Sequence, residues 1–308
     1  MLSAKYDQLR ELLRSYGSCL VAYSGGVDSV FLACVAREVL GDKCLAVIAD
    51  SQSLPRRELS DALALAEEFH FPVRVIATRE FDNPNYTVNP VNRCYFCKHE
   101  LFAELTPIAR AEGFAVIAYG ENASDAGDFR PGAQAATEFA VRAPLREARL
   151  TKAEIRELSA ALGLPTADKA QMACLSSRVP QGEPVTPQKL RMIEQAEEVL
   201  RDLGFHDVRV RHHELHAPGH HGSLPAIGSL PLALGIPKSP PALARIEVGV
   251  DELSKFLVDG NPVRIAEALK RVGYAHVTLD LLGYRRGSVN GVNTVLPRGV
   301  LAGPKNTA

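Results

Sequence analysis

Two cysteines three positions apart, Cys94 and Cys97, lie in the segment RCYFCK of residues 93–98. A C-x-x-C pair can serve as a redox dithiol, as half of a zinc site or as two ligands of an iron–sulfur cluster. The pair alone does not decide among these chemistries, because both metal sites need further ligands from elsewhere in the chain. The decision depends on what accompanies the pair.

A second chemical segment, SGGVDS, runs from Ser24 to Ser29, after an apolar run and before a helical pattern. Its glycines let the backbone approach an anion closely, and its serine hydroxyls and the following helix N-terminus add donors. The segment therefore predicts a phosphate cradle. It lacks the G-x-x-x-x-G-K-[ST] pattern, so transfer of a γ-phosphoryl group is not implied. Asp28 is well placed to help hold a magnesium ion that bridges phosphate oxygens.

The elements that must position these residues follow an alternating order in the first half of the chain. Short apolar runs predict buried parallel strands, and amphipathic patterns between them predict helices. The order indicates an α/β fold, a doubly wound parallel sheet that binds ligands at the carboxyl ends of its strands. We expect strands at 19–23, 44–50, 73–77 and 114–120, and helices near 28–40, 55–70 and 98–112.

The second half of the chain predicts a smaller α+β domain. A capping-box pattern at Thr151 and Glu154 begins one helix, and Thr186 followed by Pro187 begins another. We place the domain boundary near residue 180, which gives domains at 1–180 and 181–308. The expected later elements are strands at 208–213, 244–248 and 275–281, a helix near 261–272 and a Gly/Pro/His-rich insertion at about 214–242.

Composition limits the expected cellular location and the expected classes of binding partner. The 308 residues carry a formal net charge of -1 and no Lys/Arg run, so a nucleic-acid partner is not expected. No apolar run reaches membrane-spanning length, and the charged N-terminus lacks the apolar block of a signal peptide. We therefore expect a cytoplasmic protein without a membrane partner.

The chemical segments resemble known enzymes. SGGVDS resembles the loop of the PP-loop ATP pyrophosphatases, which cleave ATP between the α and β phosphates and leave an adenylylated substrate. GENASDAGDFRPGAQAATEFAVRAPL, TKAEIRELSAALGLP and ACLSSRVPQGE are similar to the LarE family of ATP-dependent sulfur transferases. VRVRHH and LARIEV extend that resemblance into the second domain. The resemblance implies a thiocarboxylate made from a carboxylate of pyridinium-3,5-biscarboxylic acid mononucleotide, towards the nickel-pincer nucleotide of lactate racemase.

The resemblance also suggests ligands for the cysteine pair. Some family members use a single sacrificial cysteine in the A-C-L-x-S-R segment, and others hold a [4Fe-4S] cluster with three cysteines. This chain has Cys174 in addition to Cys94 and Cys97, so it is similar to the cluster type. Three thiolates leave one iron of such a cluster without a protein ligand, so a sulfide can bind there. Zinc with His99 as fourth ligand, and a sacrificial Cys174 beside an unrelated dithiol, stay open as alternatives.

Further roles follow from the same resemblance and from charge. The substrate phosphate is assigned to Arg178, Arg209 and Arg211, since guanidinium donors suit phosphate. A divalent ion is assigned to Glu197 or Glu198 together with Glu247. The nucleotide and its magnesium are assigned to Ala22, Tyr23, Ser24, Gly25, Gly26, Val27, Asp28, Ser29, Asp50, Ser51, Asn122, Asp125, Asp128 and Lys98.

The expected partners are a small-molecule nucleotide, a sulfide or sulfur-delivering donor, and further copies of the chain. One rival hypothesis is a tRNA thiolase of the same superfamily, which also uses three cysteines but is disfavoured by the neutral charge. Another is an amidating enzyme resembling NAD synthetase, which would have no use for the cysteines.

The first prediction concerns the products of ATP. With the correct acceptor, ATP should yield AMP and pyrophosphate, because SGGVDS is similar to a PP-loop and the chain has no Walker lysine there. Chromatography of the nucleotide products checks this, and release of ADP and orthophosphate would contradict it. The Asp28→Ala variant should lose AMP formation while it keeps the wild-type circular dichroism spectrum.

Overall fold

The computed structural model describes residues 2–125, 131–170, 173–215, 240–258 and 260–285. The chain forms two compact units. The first comprises Met1–Ser177 and Gln181–Glu194, and the second comprises Arg178–Pro180 and Gln195–Ala308. The boundary expected near residue 180 lies in the stretch where the chain passes between the two units.

The first unit is built on a four-stranded parallel sheet, as predicted. Its strands are β1 (Cys19–Tyr23), β2 (Cys44–Asp50), β3 (Val73–Ala77) and β4 (Val116–Tyr119), in the order β3-β2-β1-β4. Strand β1 lies at the centre and all five of its residues are buried. Alternate residues of β1 join two different hydrophobic clusters, because successive side chains point to opposite faces of a sheet. The α/β prediction is therefore confirmed.

Helices cover this sheet on both faces. Those in the first unit are α1 (Leu2–Tyr16), α2 (Val27–Leu40), α3 (Arg56–Glu68), α4 (Pro84–Thr87), α5 (Arg93–Glu112), α6 (Pro131–Glu138), α7 (Pro144–Glu147) and α8 (Lys152–Ala161). The capping box predicted at Thr151 and Glu154 is present at the start of α8.

Helix α5 begins earlier than predicted, at Arg93 instead of near residue 98. Its N-cap is Asn92, a residue type favoured at that position, although the Asn92 side chain makes no capping hydrogen bond. As a consequence Cys94 and Cys97 lie on the first two turns of the helix.

Helix α9 (Pro187–Asp202) has residues in both units, and the Thr186 hydroxyl accepts a hydrogen bond from the Lys189 N–H at 3.3 Å, as its N-cap role predicts. The second unit holds a three-stranded sheet. Its strands are β5 (Val208–Glu214), β6 (Ala242–Val248) and β7 (His276–Leu279), with α10 (Asn261–Val272) before the last. Strands β5 and β6 are antiparallel, and β6 and β7 are parallel.

Most of the predicted insertion at 214–242 lies outside the described residues, as does Asp128. Its two ends are described: the Leu215 N–H donates to the Pro241 carbonyl at 2.8 Å, next to the paired strands β5 and β6. Among the residues that the structure describes, no helix combines the length and apolar character needed to cross a bilayer.

Candidate active site

The SGGVDS segment forms a tight loop between β1 and α2. Gly25 has φ +69°, and a Cβ there would lie 2.8 Å from the Ala62 Cβ, so a larger residue would both strain the backbone and clash. The Ser24 and Ser29 hydroxyls are 3.0 Å apart, and the Ser29 hydroxyl also accepts from the Ser24 N–H at 3.2 Å. The N-cap of α2, Gly26, offers no side-chain acceptor to the first N–H groups of that helix. These donors suit an anion.

Asp28 lies in the first turn of α2 with its carboxyl largely buried. Its Oδ2 accepts from Lys152 Nζ at 2.7 Å, whereas its Oδ1 has no hydrogen-bond partner at ordinary distance among the described residues. Burial raises the pKa of this carboxyl, against the lowering effects of Lys152 and of the nearby Asn122 amide. A buried carboxylate oxygen that still lacks a partner fits the proposed magnesium ligand.

The residues expected to bind the nucleotide at the ends of β1 and β2 differ in exposure and in hydrogen-bond partners. Asp50 makes an ion pair with Arg56 at 2.5 Å and stays partly exposed. The Ser51 hydroxyl is buried and donates to Glu80, a carboxylate that sequence reasoning missed. The Tyr23 side chain turns into the core, where its hydroxyl donates to the Ala62 carbonyl at 2.9 Å. Any contact of Tyr23 with a nucleotide would therefore come from its backbone, and the same holds for Ala22, whose side chain joins the core.

The residues after β4 lie at the same carboxyl edge of the sheet as the ends of β1 and β2. Asn122 is buried, and its side chain accepts from the Ser124 N–H at 2.9 Å. The Asp125 carboxylate accepts from the Asn122 N–H at 3.2 Å. Lys98 lies nearby, with its Nζ 4.3 Å from the centre of the Tyr119 ring. A Cβ at Gly132 would lie 2.6 Å from Lys98 Cδ, so that glycine makes room for the lysine stem.

A buried arginine, Arg93, connects the cysteine pair with the segment around Cys174. Its guanidinium donates to the Asn89 side chain, to the Ser176 carbonyl at 2.9 Å and to Cys174 Sγ at 3.9 Å. The Tyr86 hydroxyl pairs with the Ser176 hydroxyl at 2.8 Å. These contacts place Cys174 beside the first turns of α5.

The three thiols influence one another. Although residue Cys94 as a whole is exposed, partial desolvation of its thiol raises its pKa, and Cys174 raises it further. Burial raises the pKa of Cys97, and Glu80, Cys174 and Cys94 add to the effect. The raised pKa values mean that Cys94 and Cys97 resist ionisation, and a bound metal would overcome this by replacing their protons. The structure thus brings Cys94, Cys97 and Cys174 into one environment beside Arg93.

In the described part of the chain, no three His, Cys, Asp or Glu side chains are grouped closely enough to hold one metal ion. A structural zinc site needs four such ligands around one ion. His99 is the expected fourth zinc ligand. Its ring packs edge-on against Phe139, with 5.0 Å between ring centres, and is tilted against Tyr95, with 5.7 Å between ring centres, so it has aromatic neighbours on two sides.

The second unit contains a separate cluster of buried charges. Glu197 is fully buried and accepts from Arg178 at 2.8 and 3.1 Å and from Arg201 at 3.0 Å. Glu247 is also fully buried, and Arg211 and Arg245 donate to it. These two carboxylates were expected to share a divalent ion. Both carboxylates have arginine partners in the structure, and Glu198 lies half-buried on the same helix as Glu197, so the divalent-ion assignment stays a prediction.

Arg209 and Arg211 are both buried on β5, so neither forms a solvated strand face. The Arg209 guanidinium lies 4.9 Å from the Tyr284 ring centre and that of Arg211 lies 6.0 Å from it. Burial lowers the pKa of Arg209, and the like charge of Arg178 lowers it further. Guanidinium groups held together against their repulsion in a buried place suit a phosphate dianion.

Comparison with known proteins identifies the family of the chain. A family model described as NAD synthase matches residues 1–87. The chain is 41% identical over 294 residues to the uncharacterized protein slr1717 of Synechocystis sp., covering 96% of this chain and all of that one. It is 31% identical over 290 residues to the pyridinium-3,5-bisthiocarboxylic acid mononucleotide synthase of Lactiplantibacillus plantarum, covering 94% and 95% of the two chains. The chain belongs to the LarE family.

Members of the LarE family carry a PP-loop, and the chain is an ATP-utilising enzyme. The NAD synthase match ends before Cys94, so it covers the loop that handles ATP and none of the three thiols of the cluster hypothesis. It therefore does not favour the amidating hypothesis. A weaker relative, the uncharacterized protein MJ0830 of Methanocaldococcus jannaschii, is 28% identical over 192 residues, which cover 62% of this chain.

Several residues of the candidate site carried no sequence signal. Arg93 directly precedes Cys94, but its burial depends on partners about 80 residues away. Glu80 and Lys152 belong to ordinary charged segments, and only the fold brings them to the thiols and to Asp28. Tyr284 lies beyond all the motifs.

The arginine partners of Glu197 lead to a stability prediction. Burial by itself would raise the pKa of Glu197, but Arg178, Arg201 and Arg209 hold it below the ordinary value of 4.5. Its stabilising contribution is therefore fully present above pH 4.5 and is lost as the pH falls through the lowered folded pKa. Glu197→Gln should lower the free energy of unfolding at pH 7 by about 3 kcal/mol, because Arg178 stays buried without its charge partner.

Denaturant unfolding at several pH values checks this prediction. Acidification should lower the free energy of unfolding by less in the variant than in the wild type. A matched control is Glu11→Gln, because Glu11 also pairs with an arginine, Arg14, at 2.5 Å but on the surface. It should change the free energy of unfolding by less than about 1 kcal/mol. Equal effects of the two substitutions would contradict the assigned role of Glu197.

Proposed function

We propose that this enzyme uses ATP to convert a carboxylate of pyridinium-3,5-biscarboxylic acid mononucleotide to a thiocarboxylate, in the synthesis of a nickel-pincer nucleotide. The observation that carries the proposal is the gathering of three thiols around Arg93 in the same compact unit as the SGGVDS loop. The printed activity of the Lactiplantibacillus plantarum relative supports the choice of substrate.

The ATP half of the reaction activates the carboxylate. One carboxylate oxygen forms a bond to the α-phosphorus, and the bond from that phosphorus to the bridging oxygen breaks, so that pyrophosphate leaves with the electron pair. The acyl adenylate then has AMP as a good leaving group, which a sulfur nucleophile displaces with formation of a C–S bond. The uncapped start of α2 and the two serine hydroxyls would bind phosphate oxygens, and Asp28 would hold magnesium.

The sulfur half uses the three thiols. Cys94, Cys97 and Cys174 would hold a [4Fe-4S] cluster, which when bound supplies a position for exchangeable sulfide. Arg93 fixes the Cys174 segment and directs an N–H towards its sulfur, and such hydrogen bonds tune clusters. Glu80 is buried near Cys97 and accepts a hydrogen bond from the Ser51 hydroxyl, so it connects the thiols to the end of β2. A sacrificial Cys174 is the alternative, and it would leave Cys94 and Cys97 without a task.

The arginines of the second unit would bind the phosphate of the mononucleotide. Arg209 and Arg211 are each 4% exposed, so they present little surface to a long RNA backbone lying on the protein. This burial favours the small-molecule substrate over the tRNA hypothesis. A cytoplasmic location, assembly into a homo-oligomer and a sulfide or sulfur-delivering partner complete the proposal.

Replacing the cysteines one at a time tests the proposed function. Cys94→Ala, Cys97→Ala and Cys174→Ala should each lose iron and sulfur transfer together, because the three thiolates act as one ligand set. Cys34→Ala, at a half-buried cysteine elsewhere on α2, is the matched control and should keep both. The measurements are iron content, thiocarboxylate formation and the intact mass of the spent wild-type protein. Retained activity in Cys94→Ala and Cys97→Ala, with dehydroalanine at 174, would establish the sacrificial alternative.

Arg209 gives a cleaner test of the phosphate site than Arg211. Loss of Arg211 would remove two hydrogen bonds to the fully buried Glu247, whereas Arg209 makes a 3.7 Å ion pair with the partly exposed Asp207 and donates to the Val208 carbonyl at 2.7 Å. Arg209→Met should weaken the acceptor by about ten- to a hundredfold and leave ATP affinity unchanged, since one charge-assisted phosphate contact is lost. Calorimetric titration measures both affinities, with Arg74→Met at an exposed pair as control. An equal loss for both ligands would refute the assignment.

A further inference from the structure

Lys152 holds an unusual position for a lysine. It is the first residue of α8, directly after the Thr151 N-cap. A cation is unfavourable at a helix N-terminus because the helix dipole is positive there. The helix dipole therefore does not explain a lysine at position 152. The contacts of its side chain offer an explanation.

The Lys152 side chain points to the phosphate loop. Its Nζ lies 2.7 Å from Asp28 Oδ2, and the two side chains retain 31% and 20% of their exposure, so both are accessible to a ligand. The backbone fixes this placement: the Lys152 N–H donates to the Ser124 hydroxyl at 3.0 Å, and the Ala123 N–H donates to the Leu150 carbonyl at 2.8 Å. The loop after β4 thus holds the ammonium beside the first turn of α2.

A second lysine near the loop has a different task. Lys169 Nζ donates to the Gly25 carbonyl at 3.2 Å and to Glu58 at 2.7 Å. Its charge is held by a carboxylate on α3 and by the back of the loop, so it supports the shape of the loop. Lys152, in contrast, pairs with the one carboxylate that the proposed function gives to magnesium.

We propose that Lys152 is a catalytic residue that binds the pyrophosphate part of ATP. This inference rests on the proposed role of Asp28. When Asp28 coordinates magnesium, its charge is shared with a dication, and the neighbouring ammonium gains a stronger partner in a phosphate oxygen. As the bond between the α-phosphorus and the bridging oxygen breaks, negative charge grows on the departing pyrophosphate. The positive charge of Lys152 stabilises that growing negative charge.

The test compares ligands with and without the terminal phosphates. Lys152→Met in the full chain should weaken binding of magnesium pyrophosphate and of a non-hydrolysable ATP analogue by about ten- to a hundredfold. Affinity for AMP should stay within about twofold, because AMP lacks the phosphates that the ammonium contacts. Isothermal titration with all three ligands gives the comparison.

Lys5→Met is a matched control. Lys5 also pairs with a carboxylate of α8, Glu154, at 2.7 Å and has a similar exposure of 30%, but it lies away from the loop. It should leave all three affinities unchanged. Lys152→Gln keeps a hydrogen-bond donor to Asp28 without the charge, so it serves if the methionine variant does not fold, with the same expected losses.

The outcomes distinguish failure of the Lys152 role from failure of the proposed ATP chemistry. If the wild type binds the ATP analogue and both Lys152 variants bind it equally well, or lose AMP affinity to the same extent, the role of Lys152 is refuted and the proposed function stands. If the wild type binds neither magnesium pyrophosphate nor the ATP analogue, the proposed ATP chemistry itself fails.

Discussion

One buried guanidinium, that of Arg93, holds the two parts of the thiol site together. A buried charge is costly unless hydrogen-bond partners surround it. Arg93 obtains them from Asn89 on its own side, and from the Ser176 carbonyl and Cys174 sulfur on the other. Asn89 is fully buried and has φ +56°, an uncommon conformation that this contact helps to hold. The register of Cys174 against helix α5 therefore depends on Arg93.

The parallel sheet supplies the second constraint. Strand β1 is buried between β2 and β4, so the loops after these three strands emerge at one edge. The SGGVDS loop follows β1, Ser51 follows β2 and pairs with Glu80 after β3, and Asn122 with Asp125 follows β4. Gly120 permits the close approach, because a Cβ there would lie 3.0 Å from the Ser29 N–H nitrogen. ATP chemistry and sulfur chemistry can thus share one unit.

Sequence patterns were sufficient where local physics decides the structure. The apolar runs of β1 to β4, the capping box at Thr151 and the strand pair β5 and β6 were all predicted, because periodicity and capping are local signals. The start of α5 was missed, although its N-cap, Asn92, is of a residue type favoured at that position. Arg93, Glu80 and Lys152 were missed because their partners come from distant segments. The arginine partners of Glu197 could not be predicted either, because they depend on tertiary packing.

The central claim, that three thiols of one unit form a cluster site for sulfur transfer, is tested most directly on the wild-type protein prepared without oxygen. Iron and acid-labile sulfide are measured per chain, together with the visible spectrum. The account predicts about four irons and four sulfides per chain, and a broad absorption that disappears with the cluster. A protein that transfers sulfur at full rate with no iron and no labile sulfide would contradict it.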